Sequence, residues 1–105
     1  MYKVIVFVPR EHKEEVKNAM FAAGGGALGK YTHCAFETEG KGQFKPGPGS
    51  NPFLGEKDEV TIVQEVRVEM LVVCEKITSV LRAMKKSHPY EEVAYDVFRQ
   101  AEIDF

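Results

Sequence analysis

The chain has 105 residues, a length for one domain, and its 44% hydrophobic residues suffice for one small core with much surface per volume. A formal charge of -2 and a pI near 5.9 exclude any general attraction to nucleic acid or anionic membrane. No apolar run approaches the ~18 residues of a spanning helix. The opening MYKVIVFVPREHKEE lacks the shape of a signal peptide, because its short β-branched stretch runs into Pro9 and charges. Cys34 and Cys74 are too few for a disulfide framework and read as reduced thiols of a cytoplasmic protein.

Residues 2 to 8, YKVIVFV, are β-branched and apolar and predict a strand. Residues 11 to 23 carry Val16, Ala19, Met20 and Ala23 at the i, i+3, i+4, i+7 spacing of a helix with one buried face. Glu11, Glu14 and Glu15 crowd its first turn, where the dipole favours negative charge. Gly24 to Gly26 end it. Residues 31 to 38, YTHCAFET, predict a second strand.

Residues 39 to 58 form a long Gly- and Pro-rich connection in which no helix survives. A connection of this length in a small domain is usually functional or disordered. Phe44 and Phe53 favour an ordered arm, a small hairpin packed on a neighbour, over a floppy surface loop.

The second half repeats the plan. Residues 59 to 73 predict a long strand, and Ile77, Val80, Leu81 and Met84 place a buried face on a helix over 75 to 87. Lys85 and Lys86 suit its last turn, and Pro89 stops it. Residues 93 to 99 predict the last strand. The order βαββαβ predicts an α+β, ferredoxin-like sandwich: a four-stranded antiparallel sheet with both helices on one face. The other face is then bare. Val4, Val6 and Val8 point one way on the first strand, and Ile5 and Phe7 the other. An apolar open face predicts cover by further copies of the chain, against the plainer reading of scattered exposed apolar residues.

Three stretches invite a chemical reading. GGGALGKY, residues 24 to 31, nearly matches a phosphate-binding loop, with Gly24, Gly29 and Lys30 in place. The context is reversed, since the stretch leaves a helix and enters a strand, and Tyr31 replaces the magnesium-binding hydroxyl. It reads better as a helix cap whose amides could still meet an anion in another mode. In SHPYEEV, His88, Tyr90, Glu91 and Glu92 could supply metal ligands or a general acid and base, or simply end the helix. His33 and Cys34, adjacent on the predicted second strand, face opposite sides and cannot chelate together. No Ser-His-Asp pattern, C-x-x-C or basic-aromatic RNA signature is present.

VFVPREHKEEV, GKYTHCAFETEGKGQFKP, NPFLGE and SHPYEEVAYDV together resemble the insert domain of YqfO-type proteins, the family named for an NGG-interacting factor and often labelled GTP cyclohydrolase-like. HPYE also resembles a motif of the CutA divalent-cation-tolerance proteins. The resemblance implies a PII/CutA-like fold, assembled as a homotrimer, in an insert domain occurring by itself. It also implies that the two-metal site of full-length members belongs to flanking domains, while this chain has only His12, His33 and His88.

The expected function is a non-enzymatic oligomeric binding or regulatory module. It would bind a small molecule or a divalent metal ion between subunits, or a protein partner through the 39 to 58 loop. The residues expected to serve are Lys30, Tyr31, His33, Cys34, Lys45, His88, Tyr90 and Glu91, with His88 and His33 as metal ligands and Lys30 and Lys45 as anion contacts. A metal-dependent hydrolase acting on nucleotides and a pure oligomerisation scaffold are the alternatives.

Overall fold

A computed structural model describes residues 1–105. The elements run β1 (Tyr2–Pro9), α1 (Lys13–Ala22), β2 (Phe36–Phe44), β3 (Thr61–Val72), α2 (Ile77–Ser87) and β4 (Tyr95–Arg99). The sheet order is β2-β3-β1-β4, with every neighbouring pair antiparallel. This is the ferredoxin-like sandwich that the βαββαβ order predicts.

The register explains the core. Val4, Val6 and Val8 lie opposite Met70, Val68 and Val66. These residues and Val72 form one apolar face, on which Val16 and Met20 of α1 and Val80 and Met84 of α2 pack. Ile77 and Leu81, the other two members of the α2 stripe, border this core half-buried. Lys85 and Lys86 occupy the last turn of α2, as the dipole favours. Gly24 and Gly26 adopt φ values of 109° and 73°, and a Cβ on Gly26 would stand 2.7 Å from the Cys34 carbonyl oxygen. Glycine is therefore required where the chain turns out of α1.

A polar clamp holds α1 to β2. Lys13 Nζ lies 2.9 Å from the Glu37 carboxylate, and Lys17 bridges Glu37 and Glu14. The hydrogen bond from Lys17, then that from Lys13, hold the Glu37 carboxyl below its usual range. Burial acts against the charge on Lys17, but its bonds to Glu37 and Glu14 raise its pKa on balance.

Several boundaries differ from the sequence reading. Both helices open with a turn of 3-10 helix, at Arg10–His12 and Cys74–Lys76. The second strand begins at Phe36, not at residue 31, and runs on to Phe44. Its pairing with β3 is continuous from Phe36↔Glu69 to Phe44↔Thr61. Residues 39 to 44 are thus one arm of a hairpin within the chain, and the irregular connection begins at Lys45. Tyr31 to Ala35 lie outside the strand, with His33 at a left-handed φ of 59°.

The outer face of the sheet is less apolar than alternation suggests. Ile5 is only 5% exposed within the single chain, and Phe7 is half-buried. Glu69 beside them pairs with Lys3 at 3.6 Å and with Arg67 at 3.5 Å. Phe36 and Phe98, at the two sides of this face, are 67% and 56% exposed. No helix is long and apolar enough to cross a membrane.

Candidate functional site

The SHPYEE turn organises one end of the sheet. Pro89 ends α2, and His88 at its C-cap takes an extended backbone, with φ -76° and ψ 137°. This turns the His88 ring inward, where the residue is 6% exposed. The Tyr90 backbone N–H donates to His88 Nδ1 at 3.1 Å, so Nδ1 carries no proton. Nε2 must then bear the hydrogen, and it donates to the Phe7 carbonyl at 2.8 Å. Burial pushes the His88 pKa below its ordinary value, and His12 adds to this, while the Phe7 carbonyl and Glu65 act in the opposite sense. His88 is thus a neutral staple joining α2 to β1, with both ring nitrogens occupied.

Tyr90 follows on the same turn. Its ring lies 5.0 Å from His88, 5.8 Å from Phe44 at the end of β2, and 6.5 Å from Phe53 of the 45 to 60 connection. Its hydroxyl donates to Glu65 Oε2 at 3.0 Å. Burial first, and the Glu65 carboxylate second, push the phenol well above its usual range. Glu65 leans across Gly42 on the neighbouring strand, where a Cβ would overlap its carboxylate. The glycine that looks like a strand breaker in sequence makes room for this acid.

The connection folds back over these residues. The Asn51 backbone N–H donates to Glu91 Oε2 at 2.9 Å. Phe53 sits edge-on to His12 at 5.3 Å. At the root, the Asp58 N–H donates to the Pro46 carbonyl at 2.7 Å, and Ser50 bonds the Gly47 carbonyl. Gly49 and Gly55, at φ 81° and 91°, flank the segment that crosses the turn. A cavity of about 350 Å³ remains beneath, lined by Phe7, Phe44, Phe53 and Tyr90 together with Lys45, Glu65, Glu91 and Glu92.

Of the residues singled out in the sequence, Lys45, Tyr90 and Glu91 line this cavity, and His88 supports it from behind. Lys30, Tyr31, His33 and Cys34 do not join them. They follow the turn bonded to Leu71 through the Gly26 N–H, whereas Glu65 marks the cavity. Six steps of β3 separate Leu71 from Glu65, roughly 20 Å at about 3.3 Å per residue. There Tyr31 is 75% exposed, His33 packs on Phe21 at 4.9 Å, and Cys34 Sγ lies 3.7 Å from the Thr32 carbonyl. The amides of Gly24, Gly25, Gly26, Leu28, Tyr31 and Cys34 donate to backbone carbonyls, and those of Ala27, Gly29 and Lys30 have no backbone acceptor.

Within the single chain the expected metal ligands are not brought together. His88 has spent both nitrogens, His33 lies at the opposite end, and no three His, Cys, Asp or Glu side chains are grouped to hold an ion. Sequence reasoning misses Glu65 and Phe7 as cavity residues. Phe44 and Phe53 give the only signal, as aromatics in a segment otherwise composed like a linker.

No family model matches the sequence. The chain is 50% identical over 96 residues to the "GTP cyclohydrolase 1 type 2 homolog" of Bacillus subtilis, covering 91% of this chain and 26% of that protein. The crystal structure of a Bacillus cereus protein related to NIF3 superposes with a TM-score of 0.79 at 44% identity, over 92% of this chain and 24% of that one. CutA1 from Pyrococcus horikoshii shares the fold, with a TM-score of 0.69 at 15% identity, over 99% of this chain and 87% of its own. The chain spans about a quarter of the length of the curated relatives it matches. It is a homologue of the NIF3/YqfO-type proteins over that segment, built on a CutA/PII-like fold.

Proposed function

We propose that this chain is a non-enzymatic, homo-oligomeric binding module whose small ligand occupies the cavity between the 45 to 60 connection and the HPYE turn. The observation that carries the reading is the tethering of the connection. A long Gly- and Pro-rich segment is held over an aromatic-walled space by the Asn51–Glu91 bond and by Phe53. Concave, mostly apolar spaces with a few converging polar groups are where small ligands bind. The connection also exposes Val60, at 59%, to a protein partner. Exposed Phe36 and Phe98 at the sides of the outer sheet face support association of copies, with a trimer as the expected state. The cyclohydrolase in the names of the longer relatives is not carried over, because this chain groups no three His, Cys, Asp or Glu side chains to hold a metal ion.

Calorimetric titration with zinc chloride, ATP, inorganic phosphate and cadaverine tests the reading, using the whole chain and an Ala94→Phe variant. Ala94 lines the cavity and is exposed, so a larger side chain there fills the space without touching the core. At least one probe is expected to bind the wild type and to lose affinity at least tenfold in the variant. Binding that the variant leaves unchanged, or none at all, contradicts the reading.

A further inference from the structure

We propose that the cavity selects a small alkylammonium cation, held by the Glu65 carboxylate against the faces of Phe44, Phe53 and Tyr90. The assignment rests on the reading of this cavity as the ligand site and names the ligand's chemical class.

Glu65 is the centre of the argument. It is half-buried on the outer sheet face, its one hydrogen-bond partner is the Tyr90 hydroxyl, and it takes part in none of the ion pairs of the chain. A carboxylate removed from water without a counter-charge is costly, and a cation that enters the space relieves that cost. The neighbouring acids are also free of cations. Glu91 accepts only the Asn51 N–H, and Glu92 has no partner. Lys45 is the single positive side chain lining this cavity; Lys41 and Arg67 border Glu65 from an adjoining hollow, without an ion pair to it.

The walls favour the same charge. An ammonium group gains attraction within about 6 Å of an aromatic face, where the ring presents negative potential. Tyr90 makes interplanar angles of 62° with Phe44 and 49° with Phe53. Tyr90 is therefore stacked on neither ring. Pro46, Pro52 and Leu54 supply further apolar lining suited to an alkyl chain. A cavity of about 350 Å³ is far larger than a bare metal ion requires, and the donors around it are not grouped as metal ligands. An anion would meet both Glu65 and the negative ring faces.

Titration with cadaverine, 1,5-pentanediol and glutarate, three five-carbon probes of different charge, tests the assignment at low ionic strength on the whole chain. Cadaverine is expected to bind at least tenfold more tightly than either of the others. Glu65→Gln is expected to weaken cadaverine about tenfold, as loss of a charge-assisted hydrogen bond implies. Lys45→Ala is expected to strengthen it severalfold. Because Lys45 lies outside the core, this opposite shift keeps the test decisive if Glu65→Gln disturbs folding. Glutarate or pentanediol binding as tightly as cadaverine, and excluded by Ala94→Phe, overturns the cation assignment while leaving the cavity as a site. Cadaverine binding that Ala94→Phe does not alter overturns both. No binding of cadaverine overturns the assignment, and binding of ATP or phosphate at the cavity would then still uphold the site.

Discussion

Gly42→Ala probes the site through a residue that touches no ligand. A methyl at this position would displace the Glu65 carboxylate, which is the flexible end of a side chain and can swing away. The swing breaks the Tyr90–Glu65 hydrogen bond of 3.0 Å. A hydrogen bond to a charged group contributes about 1.5–3 kcal/mol, and the half-exposed setting places this one near 1.5 kcal/mol. Alanine in place of glycine within a strand recovers about 0.5–1 kcal/mol of chain entropy. The net cost in the wild-type background is therefore about 0.5–1 kcal/mol. In a Tyr90→Phe background the bond is already gone, and the same substitution becomes neutral to stabilising. Urea unfolding of the four proteins at pH 7 reads the difference as a coupling of about 1.5 kcal/mol. Additive effects, within the ~0.5 kcal/mol that independent sites show, would refute the link from Gly42 through Glu65 to Tyr90.

Other outcomes follow from the same contacts. Glu37→Gln removes the acceptor shared by Lys13 and Lys17. Because the folded-state pKa of Glu37 lies below its unfolded value, its stabilisation is complete above about pH 4.5 and is lost as pH falls through the folded value. The variant should be less stable at pH 7, and thermal melting across pH should show the difference shrinking as pH falls through the folded value. His88 also has a depressed folded-state pKa, so wild-type stability is full above the ordinary histidine value of about 6.5 and declines as pH falls below it. His88→Gln should lower stability at pH 7 yet flatten the decline below about pH 6.5. Phe98→Asp places a charge on an exposed aromatic of the outer sheet face, and sedimentation should show loss of the proposed oligomer. A wild-type chain that stays monomeric at high concentration contradicts the proposed assembly.

The fold was legible because its signals are local. β-branched runs and the i, i+3, i+4, i+7 stripes identify the core-forming elements, and Val16, Met20, Val80 and Met84 are fully buried as their spacing predicts. The second strand was misplaced for a non-local reason. YTHCAFET resembles a strand by composition, yet the turn through Gly26 and Gly29 delays pairing until Phe36. Gly40 and Gly42 resemble breakers, yet they continue β2 opposite Glu65 and Val63. Half of the candidate site was legible for the same reason. The HPYE turn identifies Tyr90 and Glu91, and the aromatics of the connection hint at its order. Glu65 is visible only once the register places it beneath Tyr90 and over Gly42. The glycine-rich turn attracts attention by motif, but most of its amides are committed to the backbone and its side chains lie at the opposite end of the sheet.

The most direct test is a map of backbone amide chemical shifts across the whole chain during titration with cadaverine and, separately, with ATP. Changes should concentrate on residues 43 to 54 and 90 to 94, the two walls of the cavity. Changes confined to residues 24 to 35, or absent throughout, would contradict the site.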